Sequence, residues 1–172
     1  WPGNGRLAFG ESAQLAPFED KNQNGVYEPA LGEYPSICGD QAVFFILNDM
    51  RAPLQNSDCQ KMGVEMQILA YVLNGTDSVL NNTVFLSVKV SNKSSSNYNS
   101  VYFSSFLDPD LGCFSNDRIG CDTASNSFYA YNGTANDLNG CLTGLLGYRT
   151  TSAVQGLTFL NQRLDEFNYF AN

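Results

Sequence analysis

Apolar and polar residues alternate along Asn82–Ser91, with Val84, Leu86, Val88 and Val90 on one side and Phe85, Ser87 and Lys89 on the other. A period of two is the pattern of a half-buried β-strand. Runs rich in β-branched and aromatic residues at Gln41–Asn48, Val64–Leu73 and Val101–Leu107, and a shorter one at Phe128–Tyr131, predict further strands. The connectors Asn74-Gly75-Thr76-Asp77, Lys93–Asn97 and Asn132-Gly133 carry residues whose side chains and backbone freedom favour turns. That cadence predicts a mainly β fold, an antiparallel β-sandwich or jelly-roll-like module. One stretch has the spacing of a helix: Leu157, Leu160, Leu164 and Phe167, with Asp165 and Glu166 outside, predict a short helix within Gly156–Asn168.

Ahead of the first strand, Pro2, Pro17, Pro29 and Pro35 rule out a long helix or a central strand, so an irregular arm is expected. The 172 residues then read as one module: an irregular arm over 1–40, a β core over 41–133, and a loop with a helix over 134–172. The chain opens on Trp1 without Met and ends on the aromatic Phe167-Asn168-Tyr169-Phe170 segment, which suggests a fragment of a larger chain. Neither a signal peptide nor a transmembrane run is visible in it.

Composition narrows the chemistry. Charged residues make up only 15 %, against a usual share of roughly 25 %. Asn, Ser, Thr and Gly fill the loops instead, as at Asn92–Asn99 and Asn132–Gly140, which suits an extracellular β protein. The net charge of −8 offers no basic stripe for nucleic acid and no attraction to an anionic membrane surface. Histidine is absent, which removes the commonest general base and the usual zinc and nucleophile pairings. The five cysteines contain no CxxC pair and read as a disulfide framework in an oxidising compartment. Two bridges among Cys38, Cys59, Cys113 and Cys121, with one thiol left over, are the simplest arrangement; Cys113–Cys121 is favoured, and a bond from either to Cys141 is the alternative.

Two constellations suggest a metal. In Asp20-Lys21-Asn22-Gln23-Asn24-Gly25-Val26-Tyr27-Glu28, oxygen-bearing side chains at positions 1, 3 and 5 precede a glycine at 6, the opening of an EF-hand-type calcium loop. The Val26 carbonyl is expected as a further ligand. Position 12 is Leu31, so Glu28 or Glu33 would replace the usual bidentate glutamate. Neutral amides at two of the ligand positions point to weak binding, at extracellular calcium concentrations. The second constellation is Asp108, Asp110, Asp117 and Asp122, which would repel one another without a cation.

The strings DKNQNGVYEPALGEYPSICGDQAVFFILND, GVEMQILAY, NNTVFLSVKVSNKSS, YNSVYFSSFLDPDLG, DRIGCD and YAYNG, in that order, resemble a conserved module of large secreted Bacteroidetes surface proteins exported by the type IX route. The resemblance spans 1–133, and the chain departs from the pattern beyond Asn139. It implies an extracellular location, a β-rich fold and calcium sites, but no activity. Ser78 and Thr123, each in an Asp-Ser/Thr-apolar triplet, look like the O-glycosylation signal of those bacteria, and Asn74, Asn81, Asn92 and Asn132 head N-glycosylation sequons.

The expected function is therefore a non-catalytic structural or adhesive surface module stabilised by calcium and disulfides. Its expected partners are other domains of the same polypeptide or neighbouring copies. A calcium-dependent carbohydrate-binding module is the alternative, with Tyr98, Tyr129 and Tyr131 as stacking candidates. A hydrolase fragment comes third: Glu65 lies within an apolar run, though alternation places it outside with Gln67.

Overall fold

The computed structural model describes residues 5–9, 11–50, 59–137, 147–151 and 153–170. The fold is mainly β, and every strand pairing is antiparallel. The chain divides into two compact units, Trp1–Ser100 and Val101–Asn172.

In the first unit, β1 (Gln41–Asn48), β2 (Val64–Val72) and β3 (Val84–Asn92) form a meander with β2 in the centre. These are the runs in which β-branched and aromatic residues dominate. Asp49 fastens the connection from β1 to β2, its carboxylate accepting the N–H groups of Met62, Gly63 and Val64. Desolvation pushes the Asp49 pKa up, but these backbone donors outweigh it and hold the group below its ordinary value. Asp40 does the same service at the other end, accepting Asn74 N at 2.7 Å. The β2–β3 connection contains a single helical turn, α1 (Ser78–Asn81), capped by Asp77 through Val79 N at 2.8 Å.

Register sorts this sheet into two faces. Val43, Phe45 and Leu47 lie opposite Ala70, Ile68 and Met66, which in turn face Leu86, Val88 and Val90. This face is wholly apolar through its centre, and Val43 (64 % exposed), Leu86 (57 %) and Val90 (50 %) remain open to solvent. The other face mixes the stacked Tyr71 and Phe85 rings (5.2 Å) with Gln67, Lys89 and Glu65. The alternation of β3 is thus as expected, but its apolar side is the more exposed one. No described residue of this unit covers it.

In the second unit, β4 (Asp117–Asp122), β5 (Ser127–Asn132) and β6 (Val154–Thr158) form another meander, centred on β5. The expected helix within Gly156–Asn168 does not form. Leu157 is instead the strand partner of Phe128, and Asn126 captures the following segment through Phe159 N and Leu164 N. Phe159 and Phe167 then pack near Phe128, at 6.5 and 5.9 Å between ring centroids. Cross-strand pairing and these aromatic contacts have overridden the helical spacing. Val101–Leu107 is no strand either; Tyr102 is 86 % exposed and Phe106 81 %, and the run finds no partner among the described residues. Among the described residues no helix is long and apolar enough to cross a membrane.

Candidate metal centre

The arm is irregular, as its prolines require, yet it builds one closed loop. Glu19 N donates to Tyr34 O at 2.9 Å and Ser36 N to Pro17 O at 3.0 Å, so residues 17–19 and 34–36 clamp the base. Phe18 packs edge-on against Tyr27 with centroids 5.4 Å apart. Within that frame the short polar side chains organise the backbone. Asp20 accepts Asn24 N (3.2 Å) and Gly25 N (2.7 Å), Asn22 Oδ1 also accepts Asn24 N, and Asn24 Oδ1 accepts Val26 N at 2.7 Å. Gly25 sits at φ +74°, where a Cβ would strain the turn. The amides of Asn22 and Asn24 both reach Glu28 Oε2, at 2.9 and 2.7 Å.

Asp20, Asn22, Asn24 and Glu28 gather in one loop whose side-chain oxygens are carboxylate and amide, with the Oδ1 atoms of Asn22 and Asn24 accepting backbone N–H groups and their amide nitrogens turned toward Glu28. That donor set fits a hard cation of the calcium type and no softer metal. Glu33 has another role. It is buried (4 % exposed), and its two oxygens accept Lys21 N at 3.2 Å and Glu28 N at 2.7 Å. Each oxygen accepts a backbone N–H group, so Glu33 braces the loop. The Val26 N–H is held by Asn24, leaving its carbonyl as the candidate ligand.

The acidic segment behaves differently. Asp108 and Asp110 are exposed, and Asp122 caps its own turn, accepting Ala124 N and Ser125 Oγ at 2.9 and 2.7 Å. The Ser125 hydroxyl and then the Ala124 N–H hold the Asp122 pKa below the ordinary value. Asp117 turns inward and accepts Leu111 N at 2.9 Å. Strand β4 separates Asp117 from Asp122, and among the described residues no three acidic or cysteine side chains gather as a metal group. The expected four-aspartate site is not assembled.

What stands there instead is a carboxylate the sequence did not single out. Asp137 is wholly buried (0 % exposed); it accepts the N–H groups of Cys113 and Tyr148, and its own N–H donates to Arg149 O at 2.7 Å. Gly112, at φ +66°, lets the chain pass close by, since a Cβ there would run into the Asp137 carboxylate. Asp137 lies in the aperiodic Asn/Gly-rich stretch, where no spacing signals a buried acid.

Burial raises the Asp117 pKa; Leu111 N–H opposes this, and the charges of Asp137 and Asp110 add to the rise. Asp117 Oδ1 and Asn116 Oδ1 are buried without hydrogen-bond partners among the described residues, as are both amide atoms of Asn132, the cross-strand neighbour. A pKa raised on folding contributes stability that is full below the unfolded value and lost as pH rises through the folded one. Asp117→Asn should therefore raise the melting temperature at neutral pH by about 1–3 °C, and the gain should vanish below about pH 4. A fall at neutral pH, deeper in calcium than in chelator, would contradict this.

Cys113 is disulfide-bonded and wholly buried, but Cys38, Cys59 and Cys121 are exposed free thiols. The favoured Cys113–Cys121 bridge is therefore not formed. Cys121 lies on β4 opposite Phe128 with its thiol exposed, whereas Cys113 is wholly buried. Cys38 and Cys59 belong to opposite ends of β1, since Gln41 pairs with Val72 and Asn48 with Glu65. Cys141 lies outside the described residues.

Ser78 begins α1 and Thr123 lies in the β4–β5 turn, both exposed. Asn74 is also exposed, whereas Asn81 Nδ2 donates to Gly75 O, Asn92 Nδ2 donates to Ser96 O, and the amide of Asn132 is buried. Glu65 is paired with Lys93 (3.6 Å) and accepts Gln67 Nε2 (3.0 Å), on the same sheet face as Gln67. Comparison with protein-family models, curated proteins and solved structures found no match.

Proposed function

We propose that the chain is a non-catalytic structural or adhesive module of an extracellular surface protein, held in shape by calcium at the Asp20 loop. The observation that carries this reading is the open apolar face of β1–β2–β3. Solvent-exposed apolar surface of that continuity marks an interaction surface. Its occupant is the equivalent sheet face of a second copy. The face carries no charge through its centre, so two copies meet there without the repulsion their net charge of −8 would otherwise impose. Sheet faces pack on one another about 10 Å apart, with side chains interdigitated. The resemblance to secreted Bacteroidetes modules supports the extracellular location, and the absence of histidine supports a role without catalysis.

The test is sedimentation velocity over a concentration series. Wild type should self-associate, and the double substitution Leu86→Lys with Val88→Lys should lower the association constant at least about hundredfold, roughly 2.7 kcal/mol. Both side chains are already exposed (57 % and 37 %), so the variant's melting temperature should stay close to wild type. A wild-type chain that remains monomeric throughout would sink the proposal.

A further inference from the structure

We infer that the outer face of the second sheet binds a neutral oligosaccharide, with a pyranose ring lying against Tyr129 and Tyr131. This goes beyond the structural role proposed above and rests on different residues. Tyr129 and Tyr131 are two apart on the central strand β5, hence on one face, with ring centroids 6.1 Å apart and planes at 44°. Register sets a glycine on each side of Tyr129: Gly120 on β4 and Gly156 on β6. The ring uses that space. A Cβ on Gly120 would lie 2.9–3.0 Å from the far edge and hydroxyl of Tyr129, so the ring is laid across the neighbouring strand. The bare glycines therefore leave a broad aromatic surface instead of two upright side chains.

Beside the rings is a cleft of about 360 Å³ lined by Tyr129, Tyr131, Asn132, Ala153 and Val154. It is an open groove on the sheet surface rather than an enclosed pocket. Aromatic faces suit the C–H side of a pyranose, while hydroxyls at the ring edge need polar partners. Such partners share this face: Arg118 pairs with Tyr131 in register, and the Ser127 and Thr158 hydroxyls hydrogen-bond each other at 2.7 Å. Among the described residues that line the cleft none is charged, Arg118 standing beside it on β4, and the −8 carried by the whole chain disfavours uronates and nucleic acid. Tyr131 remains 40 % exposed, as a binding ring must and a core ring need not.

The test is titration calorimetry of the full chain against neutral hexasaccharides of β-1,4-glucose, β-1,3-glucose, α-mannose and N-acetylglucosamine, with hexagalacturonate as the acidic comparison. At least one neutral sugar should bind with Kd below ~1 mM, and Tyr131→Ala should weaken it about tenfold or more. Tyr131→Trp should preserve binding, which separates ring stacking from a purely structural part. Melting temperature reports whether each variant folds, and Tyr131→Ala should leave it near wild type. Failure of every neutral sugar to bind, preference for the galacturonate, or unchanged affinity in a folded Tyr131→Ala chain would overturn the inference.

Discussion

In about 10 mM calcium the protein should melt about 5–10 °C higher than in chelator, and Asp20→Ala should abolish that difference. The size follows from linkage. An extracellular-type site with Kd near 10⁻⁴ M is then at about a hundredfold excess of ligand, which stabilises the folded state by about 2.7 kcal/mol. Asp20 also accepts Asn24 N and Gly25 N, so its removal lowers the melting temperature without metal too. The informative quantity is the calcium-dependent increment, not the absolute value. Glu33→Gln separates ligand from brace: a buried brace loses stability in both conditions. An increment equal in wild type and Asp20→Ala, or absent from both, would refute calcium at this loop.

The second large effect is expected at Asp137. Asp137→Ala should cost about 2–5 kcal/mol, because the N–H groups of Cys113 and Tyr148 lose their acceptor in a site closed to water. Asp137→Asn should fall between, since an amide keeps one acceptor oxygen but presents its NH₂ to the other donor. Thermal denaturation without reductant measures both, keeping the Cys113 disulfide intact. A melting temperature unchanged in Asp137→Ala would show that these donors have other partners.

The contrast between the two sites explains what could be read from the chain alone. The Asp20 loop is local: Asp20, Asn22, Asn24 and Glu28 meet because a tight turn folds nine consecutive residues onto themselves. Spacing alone finds such a site. Glu33 and Asp137 act on backbone groups 5–24 residues away, and no periodicity records that reach. The strands divide in the same manner. β1, β2, β3 and β5 announce themselves by composition. β4 (Asp-Arg-Ile-Gly-Cys-Asp) has one large apolar side chain and looks like a loop; its extension comes from pairing with β5. Leu157 obeys a helical spacing and a strand pairing equally well, and Phe128 decides between them. Val101–Leu107 has strand composition but no partner among the described residues, so propensity alone does not make it part of a sheet.

Both sheets join strands in their order along the chain, 1-2-3 and 4-5-6, with the middle strand central. No strand must wait for a partner from the other unit. Loop closure before each pairing is consequently limited to the intervening connection, a topology associated with fast folding for a β protein. The first sheet can close once Asn92 has emerged, while residues beyond Ser100 are still being made. The growing chain would thereby shield its backbone hydrogen-bonding groups one sheet at a time, in the order in which they are made.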